Sequence, residues 1–159
     1  MACATPGALL AGEVAAAADA DCVFCQIVAG TRPATFVFED DLCVAFGTIE
    51  PIEPGHLLLV PRRHVETLYD LPETIAAHLL PVASRLGRAL QRAHRADGLT
   101  LLQSNEKAAG QSVPHFHLHL IPRHAGREIF RRVVETHRAT PEELERDLAP
   151  VRAALATSG

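Results

Sequence analysis

The segment His115-Phe-His-Leu-His-Leu-Ile121 alternates strictly between imidazole and apolar side chains. A strand sends successive side chains to opposite faces, so a period of two marks a strand with two different surfaces. His115, His117 and His119 fall in one row. Phe116, Leu118 and Leu120 form the opposite face and can pack on a core. Neighbouring histidines stand roughly 6.6 Å apart at about 3.3 Å rise per residue. Imidazole serves near neutral pH as nucleophile, acid/base or metal ligand. Three of them on one side of a strand require something polar opposite.

The 159 residues suffice for one domain with a real core. With 15 Lys and Arg against 19 Asp and Glu, the net charge is −4. That balance offers no footprint for nucleic acid or an anionic membrane, so an anionic ligand needs a local positive site. No apolar run approaches the roughly 20 residues of a spanning helix. The first twenty residues are Ala-rich, without Lys or Arg, and carry Glu13 and Asp19. A secretory leader needs a basic start, so this stretch reads as a mobile N-terminal extension over 1–20. Cys3, Cys22, Cys25 and Cys43 do not form a disulfide framework for a chain this size, which points to a reducing cytoplasm.

Short apolar runs at 36–39, 42–46 and 57–60 read as strands, the first two separated by Glu39-Asp40-Asp41. Asp70-Leu-Pro-Glu reads as a helix start. Leu71, Ile75, Leu79, Val82, Leu86 and Leu90 then recur at helical spacing, and Pro81 is expected to bend or split that helix. Leu99–Leu102 reads as a strand, followed by a polar loop over 104–112. Thr140-Pro-Glu-Glu opens a last helix, with Thr140 as cap and Glu143 closing a capping box. The expected class is α+β: an antiparallel sheet of about five strands with one main helix packed on it. Residues 21–126 form the domain, and 127–159 a C-terminal extension with a helix.

Gly110, in Ala109-Gly-Gln-Ser-Val113, permits a tight bend directly before the histidines. Backbone N–H groups in such a bend can cradle a phosphate, and Ser112 adds a hydroxyl. Cys22-Val-Phe-Cys25 has the spacing of half a zinc site. It equally fits a redox pair or two reduced structural cysteines. Histidines at His64 and His115 are available as further ligands.

The stretch Asn105-Glu-Lys-Ala-Ala-Gly-Gln-Ser-Val-Pro-His-Phe-His-Leu-His-Leu-Ile-Pro-Arg123 closely resembles the signature of the histidine-triad (HIT) family of nucleotide hydrolases and transferases. The resemblance extends back through Gly55-His-Leu-Leu-Leu-Val-Pro-Arg-Arg-His64 to Cys22-Val-Phe-Cys-Gln-Ile-Val-Ala-Gly30, and covers roughly residues 22 to 123. It implies that His117 is a nucleophile toward the α-phosphorus of a nucleotide, forming a nucleotidyl-imidazole that water hydrolyses. One nitrogen of His117 must be unprotonated, so a backbone carbonyl is expected to hold the other N–H. By the same resemblance His119 bonds the phosphoryl oxygens, together with backbone near Gln111 and Val113. Ser112 contacts the leaving atom, and His56 matches a histidine near the α-phosphate. The implied nucleoside pocket uses Val23, Phe24, Ile27, Phe46, Ile49 and Leu58. In the zinc-containing, Hint-like members the metal is held at positions matching Cys22, Cys25, His64 and His115. Four N/S ligands make a closed, structural site, with no organic cofactor implied.

Two positions depart from the family pattern. Thr48 stands where an acidic residue or Asn commonly bonds the ribose, and a neutral hydroxyl bonds without charge assistance. Ser104 stands where Asn or Gln is frequent near the phosphate, and Asn105 beside it reaches that place only if the loop shifts. The resemblance implies a homodimer acting on a purine nucleotide or nucleotide conjugate, such as a nucleoside phosphoramidate. A dinucleoside polyphosphate is the close alternative substrate. Rival classes are a metalloenzyme with one catalytic ion on the three histidines, and a nucleotide-binding module with little turnover. The first is disfavoured because the outer two lie about 13 Å apart along a strand. His78, His94, His124 and His137 read as solvated side chains.

Overall fold

The computed structural model describes residues 19–127 and 138–156. Most of the expected N-terminal extension, part of the C-terminal one, and His137 therefore lie outside the described residues. The chain runs α1 (Val23–Val28), β1 (Phe36–Glu39), β2 (Cys43–Gly47), β3 (Leu57–Pro61), α2 (Glu73–His94), β4 (Gly98–Leu102), β5 (Leu118–Arg123) and α3 (Pro141–Ala156), with short 3-10 turns at Leu68–Asp70 and Lys107–Ala109. The five strands form one antiparallel sheet in the order β1-β2-β3-β5-β4. The expected α+β class is the class observed.

Each face of the sheet carries its own cluster, as the period-two pattern requires. Cys43 and Ala45 of β2, Leu57 and Leu59 of β3, and Phe116, Leu118 and Leu120 pack against Ile75, Leu79, Val82, Leu86 and Leu90 of α2. Leu148 and Val151 of α3 complete that core. Val44, Phe46, Leu58 and Val60 point the other way and meet Phe24, Cys25 and Ile27 of α1. Burying each such aliphatic or aromatic side chain contributes about 1.5–3 kcal/mol. The helix at α1 was not read from the sequence; Phe24, Ile27 and Val28 at spacings of three and four are its signal.

Several local expectations change. Pro81 sits inside an unbroken α2. It faces solvent, as does Ala77, whose carbonyl is the one that loses its helical partner. The helix begins at Glu73 rather than after Asp70, because Asp70 ends the 3-10 turn and accepts the Thr67 hydroxyl at 3.1 Å. The histidine strand starts at Leu118, not His115. Before it, the Phe116 N–H leaves the ladder for the Val65 carbonyl (2.6 Å), while β3 pairs only with residues 118–120. The hairpin break holds: Asp40 Oδ1 accepts the Leu42 and Cys43 N–H groups at 2.9 and 2.8 Å. The capping box also forms, Thr140 Oγ1 accepting the Glu143 N–H at 3.2 Å and Glu143 Oε2 the Thr140 N–H at 2.8 Å.

Candidate active site

The three histidines occupy the α1 side of the sheet and are held by different partners. His115 is fully buried. Its Nε2–H donates to the Pro61 carbonyl at 3.0 Å, since a carbonyl only accepts. The lone pair is then on Nδ1, which faces Cys22 Sγ at 3.4 Å and Cys25 Sγ at 3.7 Å. Cys25 Sγ also lies 3.3 Å from His64 Nδ1. One donor atom from each of Cys22, Cys25, His64 and His115 lies within 4.8 Å of the others. Two buried thiols and two imidazoles are a zinc-type donor set, and the Pro61 carbonyl is the outer partner that orients a ligating histidine. Burial raises the Cys25 thiol to about 11 and lowers His115 to about 4. The residues present fit the metal that the sequence implies.

His117 is turned to another task. Its Nδ1–H donates to the His115 carbonyl at 2.7 Å, leaving Nε2 as the lone-pair nitrogen. Burial lowers its pKa, against the opposing effect of that hydrogen bond. Phe24 stands edge-on to it, ring centroids 5.2 Å apart, and also touches His115 and Phe46. The neutral, singly tautomeric imidazole that a nucleophile needs is thus built by one carbonyl and an apolar wall.

His119 sits beside it, centroids 4.8 Å apart, on β5 opposite Leu58 and Leu102. Its Nδ1 is 2.9 Å from His56 Nε2. The Ile52 N–H donates to His56 Nδ1 at 3.2 Å, so neutral His56 carries its proton on Nε2 and donates it to His119. Neutral His119 then carries its own proton on Nε2, directed to whatever fills the site. Burial, then charge repulsion within the cluster, lowers His56 to about 3 and His119 to about 4.

Of the expected pocket residues, Val23, Phe24, Ile27, Phe46, Leu58 and Val113 join one apolar cluster beside these rings. Ile49 is exposed on the loop after β2, and the Thr48 hydroxyl accepts the Glu50 N–H at 3.3 Å. Ser112 is exposed directly after Gln111. The Gln111 side chain is a clamp: Nε2 donates to the Glu66 carbonyl and Oε1 accepts the Glu106 N–H, each at 2.7 Å. Its backbone N–H already donates to the Glu106 carbonyl at 3.1 Å. Asn105 Oδ1 accepts the Leu68 N–H at 2.7 Å and its amide pairs with Gln103, so this side chain holds a loop. Among the described residues the convergent donor sets are the Cys22 group and Asp40, Cys43 and His78; the histidine row does not form one.

Two histidines read as solvated are engaged. His78 pairs with Asp40 at 2.7 Å, and His94 packs on Gly55 with its Nε2 buried. Sequence reading also passed over Glu53, a carboxylate 2% exposed that faces Arg127 at 3.1 Å and Arg123 at 4.0 Å. An acid three residues before His56 in a Pro- and Gly-rich turn was the available signal.

The class of protein is defined by a five-stranded antiparallel sheet that seats a buried, tautomerically fixed imidazole between an apolar wall and a second histidine. The HIT domain family matches residues 29–126, and the chain belongs to that family. It is 34% identical over 140 residues to Protein hit of Bacillus subtilis, covering 87% of this chain and 97% of that protein. It is 37% identical over 105 residues to adenosine 5'-monophosphoramidase HNT1 of Saccharomyces cerevisiae, covering 66% of this chain and 64% of that one. With adenylylsulfatase HINT3 of Arabidopsis thaliana it shares 37% over 103 residues, 65% of this chain and 52% of that protein. A Zn-bound histidine triad family protein from Mycobacterium smegmatis superposes with a TM-score of 0.76 at 36% identity, over 86% of this chain and 94% of that one.

Proposed function

We propose that this chain is a hydrolase that cleaves nucleotides at the α-phosphate and releases a nucleoside monophosphate. The carrying observation is the 2.7 Å bond from His117 Nδ1 to the His115 carbonyl, which leaves Nε2 free on a buried, neutral ring. His117 Nε2 attacks phosphorus, the P–N or P–O bond to the leaving group breaks, and that group takes up a solvent proton, which the water of the second step returns. Ser112 is assigned to the leaving atom. Water then attacks the nucleotidyl-imidazole, the P–N bond to His117 breaks, and the monophosphate leaves. His119 Nε2–H donates to a non-bridging oxygen, where charge develops. The relatives named for adenosine monophosphoramidase and adenylylsulfatase activity support an adenosine phosphoramidate or related conjugate as substrate.

We assign zinc to Cys22, Cys25, His64 and His115, supported by the converging donors and the zinc-bound relative. When bound, it supplies a structural cross-link between α1, the segment after β3 and the start of the histidine run. His117 and His119 take no part in holding it. A homodimer is supported by β4, an edge strand with Leu99, Leu101 and Leu102 exposed at 40%, 44% and 46%. No described helix is long and apolar enough to cross a membrane. A cytoplasmic setting is supported by cysteines that are reduced among the described residues, Cys22 and Cys25 as the assigned zinc ligands and Cys43 as a buried thiol.

The test is incubation with adenosine 5'-phosphoramidate, rapid quench and intact mass, expecting an adenylyl adduct that maps to His117. A diadenosine polyphosphate arm separates the alternative substrate. Neither adduct nor monophosphate release from either compound would overturn the enzyme reading in favour of a nucleotide-binding module.

A further inference from the structure

The loop between β2 and β3 is folded around His56. The Thr48 N–H donates to the His56 carbonyl (3.3 Å), the His56 N–H donates to the Glu53 carbonyl (3.0 Å), and the Ile52 N–H donates to the His56 ring (3.2 Å). The Glu53 side chain points out of this loop into protein. Its Oε2 accepts from Arg127 Nη1 at 3.1 Å, and its Oε1 lies 4.0 Å from Arg123 Nη1. That Arg123 nitrogen is buried without a hydrogen bond, while Nη2 donates to the Arg127 carbonyl at 2.9 Å. Arg123 ends β5, four residues after His119 on the same strand.

The loop that carries His56 and the strand that carries His119 are therefore joined twice. One join is ring to ring at 2.9 Å; the other is a buried carboxylate hydrogen-bonded by Arg127 and facing the Arg123 charge at 4.0 Å. A buried carboxylate is retained only with partners, here one charge-assisted hydrogen bond and one nearby guanidinium, and it resists displacement from them. The order Ile52 N–H to His56 to His119 depends on that geometry, because each ring keeps one tautomer only while its neighbour stays in place.

We propose that Glu53 is a positioning residue that acts through Arg123 and Arg127. It locks the 48–56 loop against the end of β5 and so fixes the relay that presents His119 Nε2–H to the phosphate. The neutrality that the relay requires is consistent with burial lowering both rings. This rests on reading His119 as the phosphate donor.

The test uses the whole chain labelled with 15N-histidine, with long-range proton–nitrogen spectra near pH 7.5 and steady-state kinetics on adenosine 5'-phosphoramidate. The parent is expected to show His56 and His119 each as a single Nε2–H tautomer. Glu53→Gln keeps the shape and removes the charge. It should mix the two tautomers and lower kcat about 10- to 100-fold with KM nearly unchanged. Arg127 is largely exposed, so Arg127→Gln will fold; it should move both readouts the same way by a smaller factor, and Arg127→Lys should restore them. A destabilised but merely structural Glu53 would lower Tm and leave the tautomers alone. Unchanged tautomers in Glu53→Gln, or mixed tautomers with unchanged kcat, would overturn the proposal. If no nucleotide is hydrolysed, the function proposed above fails, and with it the expected effect of Glu53 on kcat; the spectra then still report whether Glu53 positions the relay.

Discussion

Lowering the pH from 7 to 5 probes the buried ring of His56. The side chain is 3% exposed, and burial, followed by repulsion from His119 and His117, pushes its pKa down from 6.5 to about 3. The unfolded chain titrates it near 6.5. The folded value lies below the unfolded one, so the native state binds fewer protons between them. The contribution is complete above about pH 6.5 and is lost as the pH falls toward 3. Each pH unit below 6.5 costs about 1.4 kcal/mol, so this one group removes about 2 kcal/mol between pH 7 and pH 5. Denaturant unfolding at both pH values, in the parent and in His56→Gln, isolates the effect. Histidines other than His119, which bonds His56 directly, contribute alike to both proteins. The parent should therefore lose about 2 kcal/mol more than the variant, with unchanged denaturant slope. Equal losses would refute the claim that His56 is held neutral by burial in this cluster.

Metal analysis should find that His115→Ala loses bound zinc, while His117→Ala retains it and loses turnover by about 10³-fold or more. Zinc lost from His117→Ala instead would break the division of labour along the row. Gly55→Ala should lower Tm and cost about 2 kcal/mol or more. The position has φ +84°, and the new Cβ would run into the His94 imidazole. Calorimetry should show Leu148→Ala costing about 2–5 kcal/mol, because Leu148 is 1% exposed in the main core. Thr140→Ala, which removes only the cap of α3, should cost about 1 kcal/mol in the same assay.

Much of the fold was legible because sheet and helix periods differ. The 57–60 run and the Ile75-to-Leu90 spacing announced their elements, and the alternation from His115 to Leu120 announced which side chains share a face. The capping box at Thr140 and Glu143 was legible because both partners lie within one turn. The start of α2 was misread because Asp70 has a closer partner in Thr67, which local spacing does not reveal. Pro81 was overrated because its cost depends on whether the orphaned carbonyl faces water, and that is a matter of tertiary placement. The site divides in the same way. The motif singled out His56, His117 and His119, but Asn105 and Gln111 spend their side chains on loops near Leu68 and Glu66.

Sequence alone determined that three imidazoles alternate with apolar side chains toward one face, that two cysteines lie three residues apart, and that apolar residues are available nearby. It could not determine tautomers, because a ring nitrogen is protonated according to what it faces, and every decisive partner comes from elsewhere in the fold. The Pro61 carbonyl turns His115 toward the cysteines, the His115 carbonyl frees His117 Nε2, and the Ile52 N–H passes through His56 to set His119. The even spacing supplied the histidines; the strand pairings and the loop around His56 gave each of them a different hydrogen bond, and with it a different capacity.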